Sequence, residues 1–536
     1  MQHTLKMVLA GLFAFASTTA IAAKPDHGKD DKSPTAKAMQ ALAAPQTSTS
    51  SGTVSVGGQR IGYKAVAGTI VLHGTGDKEN IPTASMFYVA YFKTGSTASS
   101  RPVTFLYNGG PGSATVWLHM GAFGPRRVET SDDTHTPAAP YRLVNNDYSL
   151  LDATDLVFID APATGFSRLI AQADDDKARD ALMKKRNKEF FGVDGDGQAF
   201  AQFITRFLSR YGRWNSPKYL FGESYGTTRS AVVANILTNE KSVDLNGVIL
   251  LSQILSFDTS IDGPENNPGI DLPYVLGLPT FAATAWYHHK LPQQDQIGEL
   301  KPFLGKVEQF ATGEYAQALM AGVTLDEARK KSVAETLHQY TGLPVKYLVK
   351  ADLRVTGGMF EHELLGDSDS TTGRLDSRFS GPSIDPMGKS SDYDPQSSAI
   401  SSAYVATFND YVRKTLDFGK DRHYRLFAGF KHWDFSHKAP GAHEPLQQST
   451  NVMPDLAAAM KTDPTLKVLM TGGYYDLATP FFAAEYELNH LPIPAKLRKN
   501  ISVHLYPSGH MIYAHKPSLK ALHDDVAQFI NSTHGD

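Results

Sequence analysis

The apolar residues of this chain fall into three textures, and each predicts a different element. Residues 60–63, 69–72 and 86–92 alternate or are rich in β-branched and aromatic side chains, and glycine and asparagine turns separate them, which predicts antiparallel strands at a sheet edge. Residues 103–107, 156–159, 218–221, 248–251, 467–470 and 501–505 are instead short, nearly unbroken apolar runs. Such runs predict parallel strands covered on both faces. Phe200, Phe203, Ile204, Phe207 and Leu208 recur at helical spacing and form one apolar stripe, as do Ile400, Tyr404, Val405, Phe408, Tyr411 and Val412. A helix, a strand, a turn at Ser224 and a second helix through Ala231, Val232, Val233, Ile236 and Leu237 follow one another. That alternation predicts an α/β sheet with helices on both faces.

Between about 257 and 450 the alternation breaks into helical segments and loops rich in Gly, Ser and Asp, which predicts a cap insertion over the active site. The expected organisation is therefore a signal peptide at 1–23, a disordered leader at 24–51, core at 52–256, cap at 257–450 and core again at 451–536. The leader reading rests on a stretch of Lys, Asp, Pro, Ser, Thr and Ala with few large apolar groups. The signal reading rests on Lys6 ahead of an apolar run at 7–16 and on Ala20-Ile21-Ala22. It predicts a bacterial export signal, with the mature protein periplasmic or secreted.

Composition narrows the picture further. The chain has 536 residues, an apolar fraction of 41% and a formal net charge of −3, so no basic excess exists to neutralise nucleic-acid phosphates. The first apolar run is short for a bilayer and no second one stops transfer, so no membrane anchor is expected. With no cysteine anywhere, neither a disulfide framework nor a lipid-bearing thiol is possible.

Ser224 lies in Gly222-Glu223-Ser224-Tyr225-Gly226, after an apolar strand and before a helix. Small residues on either side allow the sharp turn that lifts a serine hydroxyl above the end of a parallel sheet. A serine hydroxyl needs a base, and the base needs a third group to hold its tautomer. Asp476 follows the run at 467–470 and His510 follows that at 501–505, giving the order Ser, Asp, His of an α/β-hydrolase. Among 19 histidines the nearest rival is His504, which alternates with apolar neighbours inside a strand. Asp463 rivals Asp476 but precedes its strand, whereas such sites form at carboxyl ends. Tyr107-Asn108-Gly109-Gly110-Pro111-Gly112 follows the first buried run, and its glycines permit backbone N–H groups to point at a developing oxyanion.

Three other features read as structural. Asp194-Gly195-Asp196-Gly197 begins like a calcium loop but has Thr205 where the bidentate glutamate belongs. His288-His289 lacks further ligand spacing and reads as a solvated helix face. Asn531-Ser532-Thr533 matches a glycosylation acceptor that a bacterial exported protein would not ordinarily use.

Asn108 to Gly112, Gly124-Pro125, Phe158 to Ser167, Gly222 to Gly226, Gly473 to Asp476 and Gly509-His510-Met511 together resemble the serine carboxypeptidase family in identity and order. The resemblance implies an α/β-hydrolase fold with a mixed, mostly parallel sheet, and cofactor-free release of C-terminal amino acids from peptides with a free carboxylate. It implies Ser224, Asp476 and His510 as the triad and the N–H groups of Gly110 and Tyr225 as the oxyanion hole. Asn108 and Glu223 would hold the substrate carboxylate, and two carboxyl groups share a hydrogen bond only when one is protonated. The chain departs from the family at Leu106, at Ser113-Ala114-Thr115 and at Arg168. Two rivals stand beside this reading: an acyltransferase or esterase on the same scaffold, and a peptide-binding protein without turnover.

Overall fold

The computed structural model describes residues 36–292, 298–444 and 449–534. The expected signal peptide lies outside them, as does the leader up to residue 35. By internal contacts the chain forms two compact units.

The larger unit is built on one mixed sheet. Its strands are β1 (Thr47–Val56), β2 (Gln59–His73), β3 (Pro82–Lys93), β4 (Val103–Tyr107), β5 (Asp155–Ile159), β6 (Lys218–Glu223), β7 (Gly247–Leu251), β8 (Lys467–Gly473) and β9 (Ile501–Tyr506). Across the sheet they run β1-β2-β3-β5-β4-β6-β7-β8-β9, and Arg168–Leu169 pairs with β3 off this path. Pairings from β5 through β9 are parallel. Those joining β1, β2, β3 and β5 are antiparallel. This is the mixed, mostly parallel sheet of an α/β-hydrolase.

Register brings the carboxyl ends of the parallel strands together. Tyr107 pairs with Gly222, Glu223 with Leu251, Leu251 with Thr471 and Gly473 with Tyr506, so the carboxyl ends of β4, β6, β7, β8 and β9 come out along one edge. Helix α1 (Val193–Tyr211) turns Phe200, Phe203, Ile204, Phe207 and Leu208, all fully buried, into the core beside the sheet. Each such side chain contributes about 1.5–3 kcal/mol by leaving water.

Two expectations near the start are corrected. Residues 60–63 and 69–72 are not separate strands but parts of β2, which stays continuous because β1 and β3 pair with it along most of its length. The disordered leader ends earlier than residue 51: Ala36–Leu42 is helical, and 47–51 belong to β1, which satisfies its backbone on β2.

The stretch 257–450 divides between the units. Asp258–Ser398 falls in the smaller one and Ala399 onward in the larger. The physical reason is the aromatic stripe of helix Pro395–Lys414: Tyr404 packs on Trp117 with ring centroids 5.2 Å apart, Phe408 on His119 at 5.6 Å, and the Tyr411 hydroxyl meets that of Tyr91 at 3.1 Å.

The smaller unit also includes Tyr474–Ala483. Its helix Leu272–Tyr287 is buried around nearly its whole circumference, and Phe281 stacks on Phe360 at 4.2 Å. The solvated face expected at 288–289 is corrected for His288, whose Nε2 donates to the Ser377 carbonyl (2.6 Å) and whose pKa burial holds below its ordinary value. His289 is exposed. Among the described residues no helix is long and apolar enough to cross a membrane.

His437, in the larger unit, has both ring nitrogens engaged, Nδ1 with Asp194 and Nε2 with Asp455, each at 2.7 Å. Burial opposes its charge, but the two carboxylates outweigh burial and raise its pKa to about 9. A raised pKa stabilises the fold fully below the unfolded value of about 6.5, and the gain is lost as pH rises through the folded value. Stability should therefore fall by about 2–3 kcal/mol between pH 6.5 and 9.5 through this group. His437→Gln should lack that component; urea midpoints of both proteins across this range check it, and parallel curves would refute it.

Candidate active site

Ser224 stands between β6 and helix α2 (Tyr225–Asn235) with φ 61° and ψ −130°, a region that non-glycine residues rarely enter. Hydrogen bonds hold it there: its N–H donates to Leu251 O (2.9 Å), and its carbonyl accepts from Thr227 N–H (2.7 Å) and the Thr227 hydroxyl (2.7 Å). The flanking glycine is a steric need. A Cβ on Gly222 would lie 2.1 Å from Gly226 O and 2.5 Å from Ser230 Oγ.

The Asn108-Gly109-Gly110 loop presses on this turn. A Cβ on Gly109 would meet Tyr225 N at 2.4 Å, Gly226 N at 2.6 Å and Glu223 O at 2.7 Å, so backbone packs directly on backbone. Tyr225 opens α2, and an N–H in the first turn of a helix has no partner within the helix. Gly110, with φ 110°, occupies backbone space that suits glycine.

Beside the serine, Glu223 is buried and its Oε2 accepts from the Tyr513 hydroxyl at 2.8 Å. Asn108, also buried, hydrogen-bonds Tyr513 through its side chain while its Oδ1 accepts from Leu118 N–H (3.1 Å). Burial, with the Glu223 charge next, raises the Tyr513 pKa well above its ordinary value, so its hydroxyl keeps its proton and donates. Tyr404 is pushed the same way by burial and by Glu223, with Arg127 opposing. Neither tyrosine was found from sequence: Tyr513 has only its place three residues after His510 to mark it, and Tyr404 reads there as one member of a helix stripe.

His510 follows β9 by four residues, is buried, and accepts on its carbonyl from the Ser252 hydroxyl (2.7 Å); Ser252 itself follows β7. Asp476 is the third residue beyond β8 and is fully buried. Its Oδ1 accepts from the N–H groups of Ala478 and Thr479, both at 2.9 Å, and its Oδ2 from the Thr479 hydroxyl at 2.6 Å. The loop carrying it is fixed by its own unit, through Ser377 N–H to Tyr475 O (2.9 Å) and Leu477 N–H to Arg374 O (3.0 Å). The rivals lie elsewhere. His504 is within β9 with Nδ1 3.0 Å from Asp525, and Asp463 accepts from Thr465 N–H (2.9 Å) ahead of β8.

The departures at 113–115 and 168 have structural partners. Thr115 N–H donates to Asp160 Oδ1 (2.8 Å), Ala114 N–H to Leu426 O (2.9 Å), and Arg168 to the carbonyls of Gly165, Ser167 and His423. The pair Asp194 and Asp196 opens α1, where Asp194 takes His437 and Asp196 takes Arg229.

The serine carboxypeptidase family profile matches residues 74–511. Serine carboxypeptidase-like 36 of Arabidopsis thaliana is 24% identical over 180 residues, which cover 32% of this chain and 32% of that protein. Serine carboxypeptidase-like 38 of the same plant is 24% identical over 204 residues, covering 36% and 34%. The match thus spans about a third of the length of these curated relatives. Among solved structures, the chain is similar to a proline iminopeptidase of Mycobacterium smegmatis at 12% identity and a TM-score of 0.36, over 87% of this chain and 98% of that one. A thermophilic esterase of Thermogutta terrifontis gives 11% identity and a TM-score of 0.31, over 87% and 99%. With the profile covering most of its length, the chain belongs to the serine carboxypeptidase family.

Proposed function

We propose that this protein is a cofactor-free serine carboxypeptidase, exported from a bacterial cell, that removes C-terminal residues from peptides through an acyl-enzyme on Ser224. The observation that carries the reading is the buried group of Glu223, Asn108 and Tyr513 directly beside a serine in a strained strand-to-helix turn. An amide, a hydroxyl and a carboxyl able to carry a proton form a receptor for a free carboxylate, and that receptor adjoins the nucleophile.

In this reading His510 takes the Ser224 proton as Oγ attacks the carbonyl of the last peptide bond, and Asp476 holds the imidazole and its charge. The N–H groups of Gly110 and Tyr225 stabilise the oxyanion. His510 then passes the proton to the departing amine, and water, activated the same way, releases the shortened peptide. Incubating the protein with a peptide, its C-terminally amidated form and a simple ester tests this. Amino-acid release from the free acid should far exceed release from the amide; preference for the ester with no peptide cleavage would sink it. The export reading rests on residues 1–23, and a secreted protein whose intact mass retains them would contradict it.

Glu223 should set the alkaline limb. Ionised, it opposes the substrate carboxylate; protonated, it donates to it. Hydrolysis should therefore weaken as pH rises, kcat/KM falling by up to about tenfold per pH unit once Glu223 is ionised, mainly through KM. Glu223→Gln donates at every pH and should flatten that limb at some cost in acid. Superimposable alkaline limbs for the two enzymes on one peptide would remove Glu223 from carboxylate recognition.

A further inference from the structure

Arg229 and Asp196 form an ion pair that no catalytic step above uses, with side-chain exposures of 0% and 2%. One edge of the guanidinium serves Asp196, through Nε to Oδ2 (2.6 Å) and Nη2 to Oδ1 (3.3 Å). The other edge reaches the site: Nη1 donates to the Asn108 carbonyl at 2.8 Å. The charged carbon lies 4.3 Å from the Phe200 ring centroid, 5.3 Å from that of Tyr225 and 5.4 Å from that of Tyr107. A buried pair of this kind carries a desolvation cost that its attraction often only offsets, and apolar side chains of similar volume commonly stabilise a fold as well. Stability alone thus gives little reason for it, whereas its partners give a clear one.

Gly109 and Gly110 have no side chains by which the loop can be held, so the backbone carbonyls must be held instead. Gly109 O accepts from Ser113 N–H at 3.0 Å, and Asn108 O accepts from Arg229. We propose that Arg229, clamped by Asp196, is a positioning residue that fixes the peptide plane between Asn108 and Gly109 and so keeps the following Gly110 N–H aimed at the oxyanion. The proposal rests on the reading of Ser224 as nucleophile. Preorganised donors are effective because they need not reorganise as charge develops, and a misplacement of about 1 Å costs on the order of a hundredfold in rate.

The test pairs stability with chemistry. Arg229→Met and Asp196→Leu, singly and together, are compared with wild type for Tm, for kcat and KM on a peptide, and for the rate at which an alkyl fluorophosphonate labels Ser224. Each single variant strands a buried charge or its partner and should lose Tm. The double variant should recover most of the Tm, while kcat and labelling both stay about 10- to 100-fold down and KM moves less than about threefold. A double variant with recovered Tm and wild-type kcat and labelling makes the pair purely structural and overturns the proposal. Should the double variant not fold, Arg229→Lys decides: it keeps the charge opposite Asp196 without the planar fork that spans both partners. Folded Arg229→Lys enzyme labelling at the wild-type rate overturns the proposal equally. A wild type that labels at Ser224 but releases no amino acid sinks only the peptidase reading; one that does not label overturns both.

Discussion

Ser224→Ala should lower kcat on peptides by about 10⁴- to 10⁶-fold while leaving Tm and substrate affinity close to wild type. The hydroxyl belongs to a half-buried residue whose backbone, not its side chain, makes the bonds that hold the turn, so its removal costs little packing. What remains is the stabilisation that the Gly110 and Tyr225 N–H groups would offer water attacking directly. His510→Ala should do comparable damage, and the two changes together should cost little more than either, because in the proposed reaction the two residues act as one unit. Steady-state kinetics with a thermal melt as control provide the check. Near-normal peptide release by either single variant would remove that residue from the reaction.

Gly109→Ala should be nearly as severe, by another route. The added methyl would sit 2.4–2.7 Å from three backbone atoms of the serine turn, none of which can rotate away. Either the loop retreats, taking the Gly110 N–H out of reach, or the turn around Ser224 deforms. Both outcomes should cost at least about a hundredfold in kcat, and overpacking should lower stability by about 1–3 kcal/mol. Wild-type kinetics in a folded Gly109→Ala enzyme would mean that the loop does not touch the reaction.

Much of this was legible in the sequence because it depends on local chemistry. Short apolar runs mark strands covered on both faces, and all six expected parallel strands formed within three residues of their expected bounds. The glycines around Ser224 and at 109 sit where a Cβ would strike backbone, and residue type betrays them even where, as at Gly109, the contact is distant in sequence. What stayed hidden depends on partners distant in sequence. Thr47 to Ser51 look soluble because β1 leaves alternate residues exposed, and only its pairing with β2 makes them a strand. The helix at 395–414 was legible as a helix, but its stripe does not say that Trp117 and His119 receive it. Nothing in the type of Tyr513 announces a glutamate 290 residues away, and Asp196 reads as structural in the sequence without anything there to name Arg229 as its partner.

The strand order also sets a timetable. β8 and β9 lie side by side at the end of the sheet next to β7, yet β8 begins 216 residues after β7 ends, and His510 comes 286 residues after Ser224. At about 5–20 residues per second, translation needs about 15–60 s to pass from Ser224 to His510. A chain still on the ribosome therefore carries Ser224 without His510, and a hydrolase of the proposed kind stays inert beside its own synthesis machinery. Through the same interval β7 presents an unpaired parallel edge of fully buried-type residues, Val248 to Leu251, which makes the half-made chain a natural client for chaperones.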